Sequence, residues 1–185
     1  MTDDELPEDR LPDGGLPEEH PAVAPLRFLL GRWEGFGKGD YPTIEAFDFI
    51  QEVTFTHNGK PFLIYASRSW RKETDADGQV TKGLPLGTEA GFWRPQPDGG
   101  VELVLAHPTG ITEIYLGHVD GTKIELATDA VARTQSAKPV TAGKRLYGLV
   151  DSPSRPGEKN LAYAYDMAAM GHPLQPHLWA QLERS

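Results

Sequence analysis

The chain contains no cysteine among its 185 residues. This absence excludes disulfide bonds, iron–sulfur ligation and any thiolate ligand to a metal. There is also no run of roughly 18 apolar residues, so no membrane-spanning helix is expected. The first residues are acidic and include no apolar segment of the kind found in secretory signals. A cytoplasmic location is therefore the expectation.

Positive charge is scarce as well. The formal net charge is −9, and residues 1–20 alone hold eight acidic residues and one arginine, so the rest of the chain is nearly neutral. Without a basic patch, nucleic-acid binding is not expected. A segment this acidic and this poor in large apolar residues cannot offset its ordering entropy. We predict a disordered acidic tail over residues 1–20 and one folded domain over residues 21–185.

What the sequence does hold is glycine and proline, 20 and 16 residues respectively, which favours many short elements. Pro25–Leu30 reads as a short apolar helical turn that ends at Gly31 and could close one end of a barrel. Apolar and polar residues alternate from Ala46 to Thr56, and Asn58-Gly59 predicts a hairpin turn. Further strands are predicted over Gly31–Gly39, Phe62–Trp70, Leu86–Arg94, Val101–His107, Ile111–Val119, Lys123–Thr128, Val131–Ser136, Lys144–Val150, Leu161–Met167 and the C-terminal segment.

These strands number about ten and are joined mostly by short turns, which leaves no room for the crossover helices of a parallel sheet. The predicted fold is all-β, an antiparallel up-and-down barrel that encloses a cavity for one ligand. A two-sheet sandwich is the alternative architecture.

Candidate chemical residues are few. We find no nucleophile elbow, no obviously paired carboxylates in an apolar context and no histidine pair spaced for a zinc site, so any chemistry should come from a cofactor. His177 is the candidate ligand, because histidine is a frequent metal ligand. Strand alternation places it opposite the apolar Leu178, Ala180 and Leu182, as a surface residue, unless Pro176 hosts a bulge. His172 is five residues away, so bis-histidine ligation is not expected.

Six short motifs in order make the chain, from about Pro21 to Arg184, resemble the nitrobindin family. They are Leu30-Gly31-Arg32-Trp33-Glu34-Gly35-Phe36-Gly37, Tyr41-Pro42-Thr43-Ile44, Thr56-His57-Asn58-Gly59-Lys60-Pro61, Gly91-Phe92-Trp93-Arg94-Pro95, Gly110-Ile111-Thr112-Glu113 and Pro173-Leu174-Gln175-Pro176-His177-Leu178. Nitrobindins are ten-stranded barrels, similar in shape to fatty-acid-binding proteins and lipocalins, that hold haem b.

The resemblance implies one haem b per chain, with His177 as the iron ligand and the residue on which catalysis depends. It further implies that Thr43 lies against the haem, that Met167 lines the cavity and that Lys138 meets a propionate. Several relatives carry a distal histidine where this chain has Gly87, after Leu86, so the distal side should be more open. The implied activities are binding of nitric oxide and isomerisation of peroxynitrite to nitrate by the ferric protein.

Two other functions stay open at this point. The barrel shape alone is compatible with a carrier of an apolar small molecule. The same haem site is also compatible with a non-catalytic nitric-oxide sensor or store. A homodimer is possible, and no membrane partner or non-haem metal is expected.

Overall fold

The computed structural model describes residues 17–185. Most of the predicted acidic tail, residues 1–16, lies outside the described residues, so its disorder stays a prediction. Glu19, within the described part, pairs with Arg27 at 2.7 Å. No helix in residues 17–185 is long and apolar enough to span a membrane.

One short helix and ten strands make up the fold of residues 17–185. The helix is a 3-10 helix over Pro21–Leu29, so it begins four residues earlier than the predicted turn. The strands are β1 (Gly31–Tyr41), β2 (Ile44–Thr56), β3 (Leu63–Thr74), β4 (Val80–Pro95), β5 (Gly100–His107), β6 (Ile111–Asp120), β7 (Lys123–Arg133), β8 (Val140–Asp151), β9 (Lys159–Ala169) and β10 (Gln175–Arg184).

The strands form a closed barrel in which each strand pairs with its neighbours in sequence and β10 returns to β1. All pairings are antiparallel. The predicted up-and-down barrel is confirmed, and the sandwich alternative is excluded. Closure leaves no unpaired sheet edge, which is the physical advantage of a barrel over an open sheet with this many strands.

One predicted strand is wrong. Val131–Ser136 was expected as a separate strand, but residues 131–133 continue β7, which ends at Arg133. The pairing of β7 with β6 changes register between Ala130 and Thr128, so Asp129 is an extra residue in the ladder. This bulge interrupts the alternation of the sequence without ending the strand.

The helix closes one end of the barrel. Its side chains Val23, Leu26 and Leu29 are fully buried. Trp33, almost fully buried in β1, donates its indole N–H to the Leu29 carbonyl at 2.7 Å. The helix thus packs on the buried end of the barrel core, as predicted, and the open space lies towards the other end.

Glycines in β1 permit the close approach of β10. A Cβ atom on Gly35 would lie 2.2 Å from the Gln181 carbonyl oxygen, and one on Gly37 would lie 2.5 Å from the Trp179 carbonyl oxygen. No real side-chain carbon tolerates such distances. The glycine-rich run therefore serves strand packing, as expected from its spacing.

Candidate functional site

A cavity of about 660 Å³ opens at the end of the barrel away from the helix. Every residue predicted to form the ligand site lines it: Thr43, Leu86, Gly87, Lys138, Met167 and His177. Most of the remaining wall is apolar or aromatic, with Phe47, Phe49, Tyr163 and Tyr165 among its members. The structure thus brings together residues that lie up to 134 positions apart in the sequence.

His177 reaches this cavity because β10 is irregular at this position. In the pairing with β9, Pro176 lies opposite Asp166 and Leu178 lies opposite Tyr165, so His177 is an extra residue. A bulge allows two consecutive side chains to face the same side of a sheet. Both His177 and Leu178 line the cavity, which resolves the conflict between strand alternation and an inward-facing histidine.

The imidazole of His177 is fixed by one backbone contact. Its Nδ1 lies 3.0 Å from the carbonyl oxygen of Asp40. A carbonyl only accepts, so Nδ1 donates, and in the neutral ring Nε2 is left with a free lone pair. Asp40 itself lies where the pairing of β1 with β2 changes register, between Gly39 and Tyr41. Two neighbouring irregularities therefore place the imidazole in the cavity and supply the acceptor that selects its tautomer.

Two tyrosine rings flank this histidine. The ring centroids of Tyr41 and Tyr165 lie 5.3 and 5.8 Å from that of His177. Burial lowers the pKa of His177, although the hydrogen bond to the Asp40 carbonyl partly opposes the shift. The neutral ring is thereby favoured at neutral pH, and neutral imidazole is the form that binds metal. His172 contacts the Tyr41 ring at 5.8 Å but is not among the residues that line the cavity.

The other predicted residues lie at different depths. Thr43, Leu86, Gly87 and Lys138 are exposed and so border the opening, whereas Met167 is partly buried against the core. A Cβ atom on Gly87 would meet only the Ser69 hydroxyl oxygen, at 3.3 Å, within 4 Å. Among the described residues, little therefore stands beside Gly87 at its side-chain position.

The sequence reasoning missed a buried ionic cluster in the same cavity. We call Glu89, His107, Glu113 and Arg145 the four-residue cluster. Arg145 contacts the Glu89 carboxylate at 2.6 Å and lies 3.6 Å from Glu113. His107 Nε2 lies 3.0 Å from Glu113. The expectation of no paired carboxylates in an apolar context is therefore wrong, because these side chains come from β4, β5, β6 and β8 and meet only after the barrel closes.

The Glu89–Arg145 pair is ionised. Burial alone would raise the pKa of Glu89, but the charge of Arg145 and its hydrogen bonds outweigh this and hold the pKa at about 2. The contact is bidentate, with Arg145 Nη1 and Nη2 donating to the two oxygens of Glu89 at 3.1 and 2.6 Å. Tyr65 also donates its hydroxyl to Glu89, at 2.8 Å.

These features fit a haem. The cavity offers one neutral imidazole with a free nitrogen, a wall of aromatic and aliphatic side chains for a flat apolar macrocycle, and a lysine at the opening for an anionic edge. Within residues 17–185 no group of three or more histidine, aspartate or glutamate side chains could hold a bare metal ion. A single imidazole with a free nitrogen suits a metal that is held in a prosthetic group.

Comparison with known proteins agrees. Residues 22–184 match the family model described as "THAP4-like, heme-binding beta-barrel domain". The chain belongs to this family. It is similar to "Peroxynitrite isomerase" from Nocardioides sp., at 54% identity over 91% of this chain and 97% of the relative. It is also similar to "Peroxynitrite isomerase" from Streptomyces griseus, at 47% identity over 97% of this chain and 93% of that relative.

The barrel of this family member superposes on a solved structure. The crystal structure of Rv2717c from M. tuberculosis matches with a TM-score of 0.75 and 43% identity, covering 91% of this chain and 99% of that chain. The resemblance inferred from the six motifs is confirmed at the level of family and fold.

Proposed function

We propose that this protein binds one haem b per chain, with His177 as the axial ligand, and isomerises peroxynitrite to nitrate. The observation that carries the proposal is the His177 imidazole, which lines a barrel cavity rich in aromatic and aliphatic side chains, with Nδ1 committed to the Asp40 carbonyl at 3.0 Å. Membership of a family described as haem-binding, with relatives named peroxynitrite isomerase, supports both the cofactor and the substrate.

The residues of the chain have distinct parts in this proposal. His177 provides the ligand nitrogen, and the rings of Tyr41 and Tyr165 restrict its orientation. Thr43 and Met167 provide contacts for the macrocycle, and the ammonium of Lys138 at the opening meets a propionate. The aromatic and aliphatic part of the wall provides apolar contact for a flat macrocycle.

When bound, haem would supply an iron atom at which a small ligand could coordinate. Leu86 and Gly87 line the same cavity and offer no side-chain hydrogen-bond donor to such a ligand. The cavity wall would keep the reactants close to the iron. Nitric oxide is the second ligand that we propose, for the ferrous protein.

Two further predictions from the sequence accompany this proposal. The cytoplasmic location remains a prediction. The homodimer remains one as well, and exposed aromatic side chains on adjacent strands, Phe36 in β1 and Trp179 in β10, provide a surface on which it can be tested.

The test is the decay of peroxynitrite followed by stopped-flow absorption, with nitrate yield measured at the end. Haem-loaded protein should accelerate decay and raise the nitrate fraction above that given by free hemin. His177→Ala should lose this effect, whereas His172→Ala, which removes the other histidine near Tyr41, should keep it. Haem uptake without acceleration would favour a nitric-oxide sensor or store, and tight binding of fatty-acid probes without haem uptake would favour an apolar carrier.

A further inference from the structure

The ion pair between Glu89 and Arg145 spans the barrel instead of lying along one wall. Glu89 belongs to β4 and Arg145 to β8, and the closed order of the barrel puts three strands between them on one side and five on the other. Both side chains line the cavity, and that of Arg145 is only 2% exposed. The two side chains therefore meet across the interior, where a bound ligand would also lie.

Every nitrogen of the Arg145 guanidinium has a partner inside the barrel. Nη1 and Nη2 donate to the two oxygens of Glu89 at 3.1 and 2.6 Å. Nε donates to the Tyr115 hydroxyl at 3.2 Å, and Nη1 also donates to the Tyr147 hydroxyl at 3.3 Å. A buried arginine with both outer nitrogens free would be a strong site for a ligand carboxylate, because its planar fork matches the two oxygens. Here a carboxylate of the chain itself fills that position.

Glu89 is held in this position from two sides. The Tyr65 hydroxyl donates at 2.8 Å to Glu89 Oε2, the oxygen that also accepts from Arg145 Nη1. Although burial would raise the pKa of Glu89, the charge and hydrogen bonds of Arg145 hold it at about 2, so the carboxylate is ionised at neutral pH. A ligand carboxylate could reach the guanidinium only by displacing this ionised partner, and two carboxylates at one guanidinium repel each other.

The rest of the cavity would suit a fatty acid. Its volume is about 660 Å³, and Phe47, Phe49 and Met167 are among the aromatic and aliphatic side chains of its wall. A site of this size and lining accommodates a long alkyl chain. Within residues 17–185, Arg145 is the one arginine that lines the cavity, and Glu89 occupies it. A fatty acid would therefore lack a buried guanidinium for its head group.

We propose that Glu89 acts as a built-in substitute for a ligand carboxylate, so that the barrel rejects fatty acids and other long-chain monocarboxylates. Glu89 is thus a specificity-determining residue, which acts by occupying Arg145. The cavity is thereby kept free for a flat macrocycle. The rejection is a property of the haem-free chain, and only its benefit to haem rests on the proposed function.

The test compares octanoate with octanol, which have the same number of carbon atoms and differ in their head groups. Their binding to the haem-free full-length protein is measured by isothermal titration calorimetry at neutral pH. Wild type should bind octanoate no more tightly than octanol. Glu89→Ala removes the internal carboxylate and leaves room for another. It should bind octanoate at least about tenfold more tightly than wild type does, as expected for hydrogen bonds to a charged group, whereas its affinity for octanol should change far less.

Two controls separate the loss of the carboxylate from an enlarged cavity. Combining Glu89→Ala with Arg145→Met should abolish the preference for octanoate, because no guanidinium is left to bind it. Glu102→Ala removes a carboxylate that pairs with Arg94 on the surface, and this variant should bind both compounds as wild type does. An equal gain in affinity for octanol and octanoate in Glu89→Ala would mean only a larger cavity and would overturn the inference.

A destabilised variant still gives an answer, because a ligand that binds only the folded state stabilises it. If Glu89→Ala is unfolded, octanoate should restore its folded circular dichroism spectrum by returning a carboxylate to Arg145, and octanol should not. The inference is wrong if octanoate restores nothing, or if wild type binds octanoate about tenfold more tightly than octanol. Failure of wild type to take up haem through His177 would instead contradict the proposed function itself.

Discussion

The replacement Glu89→Gln should change how the stability of the protein depends on pH. In the folded protein the pKa of Glu89 is about 2, against an ordinary value of 4.5, because the charge of Arg145 and its two hydrogen bonds outweigh the effect of burial. A difference of this size corresponds to about 3 kcal/mol of folding free energy. Because the folded-state pKa is the lower one, this contribution is fully present above pH 4.5 and is lost as the pH falls towards 2.

The assay is urea unfolding of the apo-protein, followed by tryptophan fluorescence, from about pH 7 down to about pH 3. At neutral pH the variant should be less stable than wild type, since Arg145 loses its closest partner while buried. The difference in free energy of unfolding between the two proteins should narrow by about 2 kcal/mol as the pH falls to about 3. A gap that stays constant across this range would refute the assignment of Glu89 as an ionised, buried partner of Arg145.

A matched control comes from the surface. Glu102 in β5 pairs with Arg94 in β4, and both side chains are substantially exposed. Glu102→Gln should change the free energy of unfolding by less than about 1 kcal/mol at any pH in the series. The contrast tests burial, because both variants remove one carboxylate that faces one arginine.

Three other replacements probe the cavity. Gly87→His should fold with nearly wild-type stability, since a Cβ atom there meets only the Ser69 hydroxyl at 3.3 Å. The absorption spectrum of its ferric haem form should differ from that of wild type, because the replacement adds an imidazole to the cavity. Tyr41→Phe should lower the free energy of unfolding, measured with urea, by about 1–3 kcal/mol, because the Ala169 amide loses the hydroxyl that accepts its hydrogen bond at 2.9 Å. Its haem affinity should change little, because the aromatic ring is kept. Lys138→Ala should weaken haem binding only about 2–5-fold in a hemin titration, as expected for an exposed ion pair. A larger loss of haem affinity, or no loss at low salt, would contradict the contact between Lys138 and a propionate.

Much of the fold could be predicted from the sequence because strand signals are local. The alternation of Phe47, Phe49, Val53 and Phe55 identified β2 and its inward face, on which Phe49, Val53 and Phe55 are buried. Glycines spaced through β1 indicated a close backbone approach, which β10 makes. The prediction of two strands where the structure has β7 alone was wrong because the extra residue Asp129 interrupts the alternation of the sequence, as a turn also does.

The site was only partly predictable. His177 could be singled out by its chemistry and by family resemblance, but alternation alone placed it outside, since the bulge that turns it inwards depends on the register with β9. Its partner is a backbone carbonyl, that of Asp40, and a carbonyl leaves no mark in a sequence. The four-residue cluster was missed because Glu89 and Arg145 lie 56 positions apart, and each looks like an ordinary polar residue of its own strand.

The most direct measurement is an absorption titration of the purified protein with hemin, with His177→Ala in parallel and unfolding curves to show that both are folded. We expect wild type to saturate at one equivalent with the Soret spectrum of a histidine-ligated haem. The variant should lose that spectrum and recover it when free imidazole is added. An unchanged spectrum in folded His177→Ala would contradict the claim that this bulged histidine, oriented by the Asp40 carbonyl, is the iron ligand.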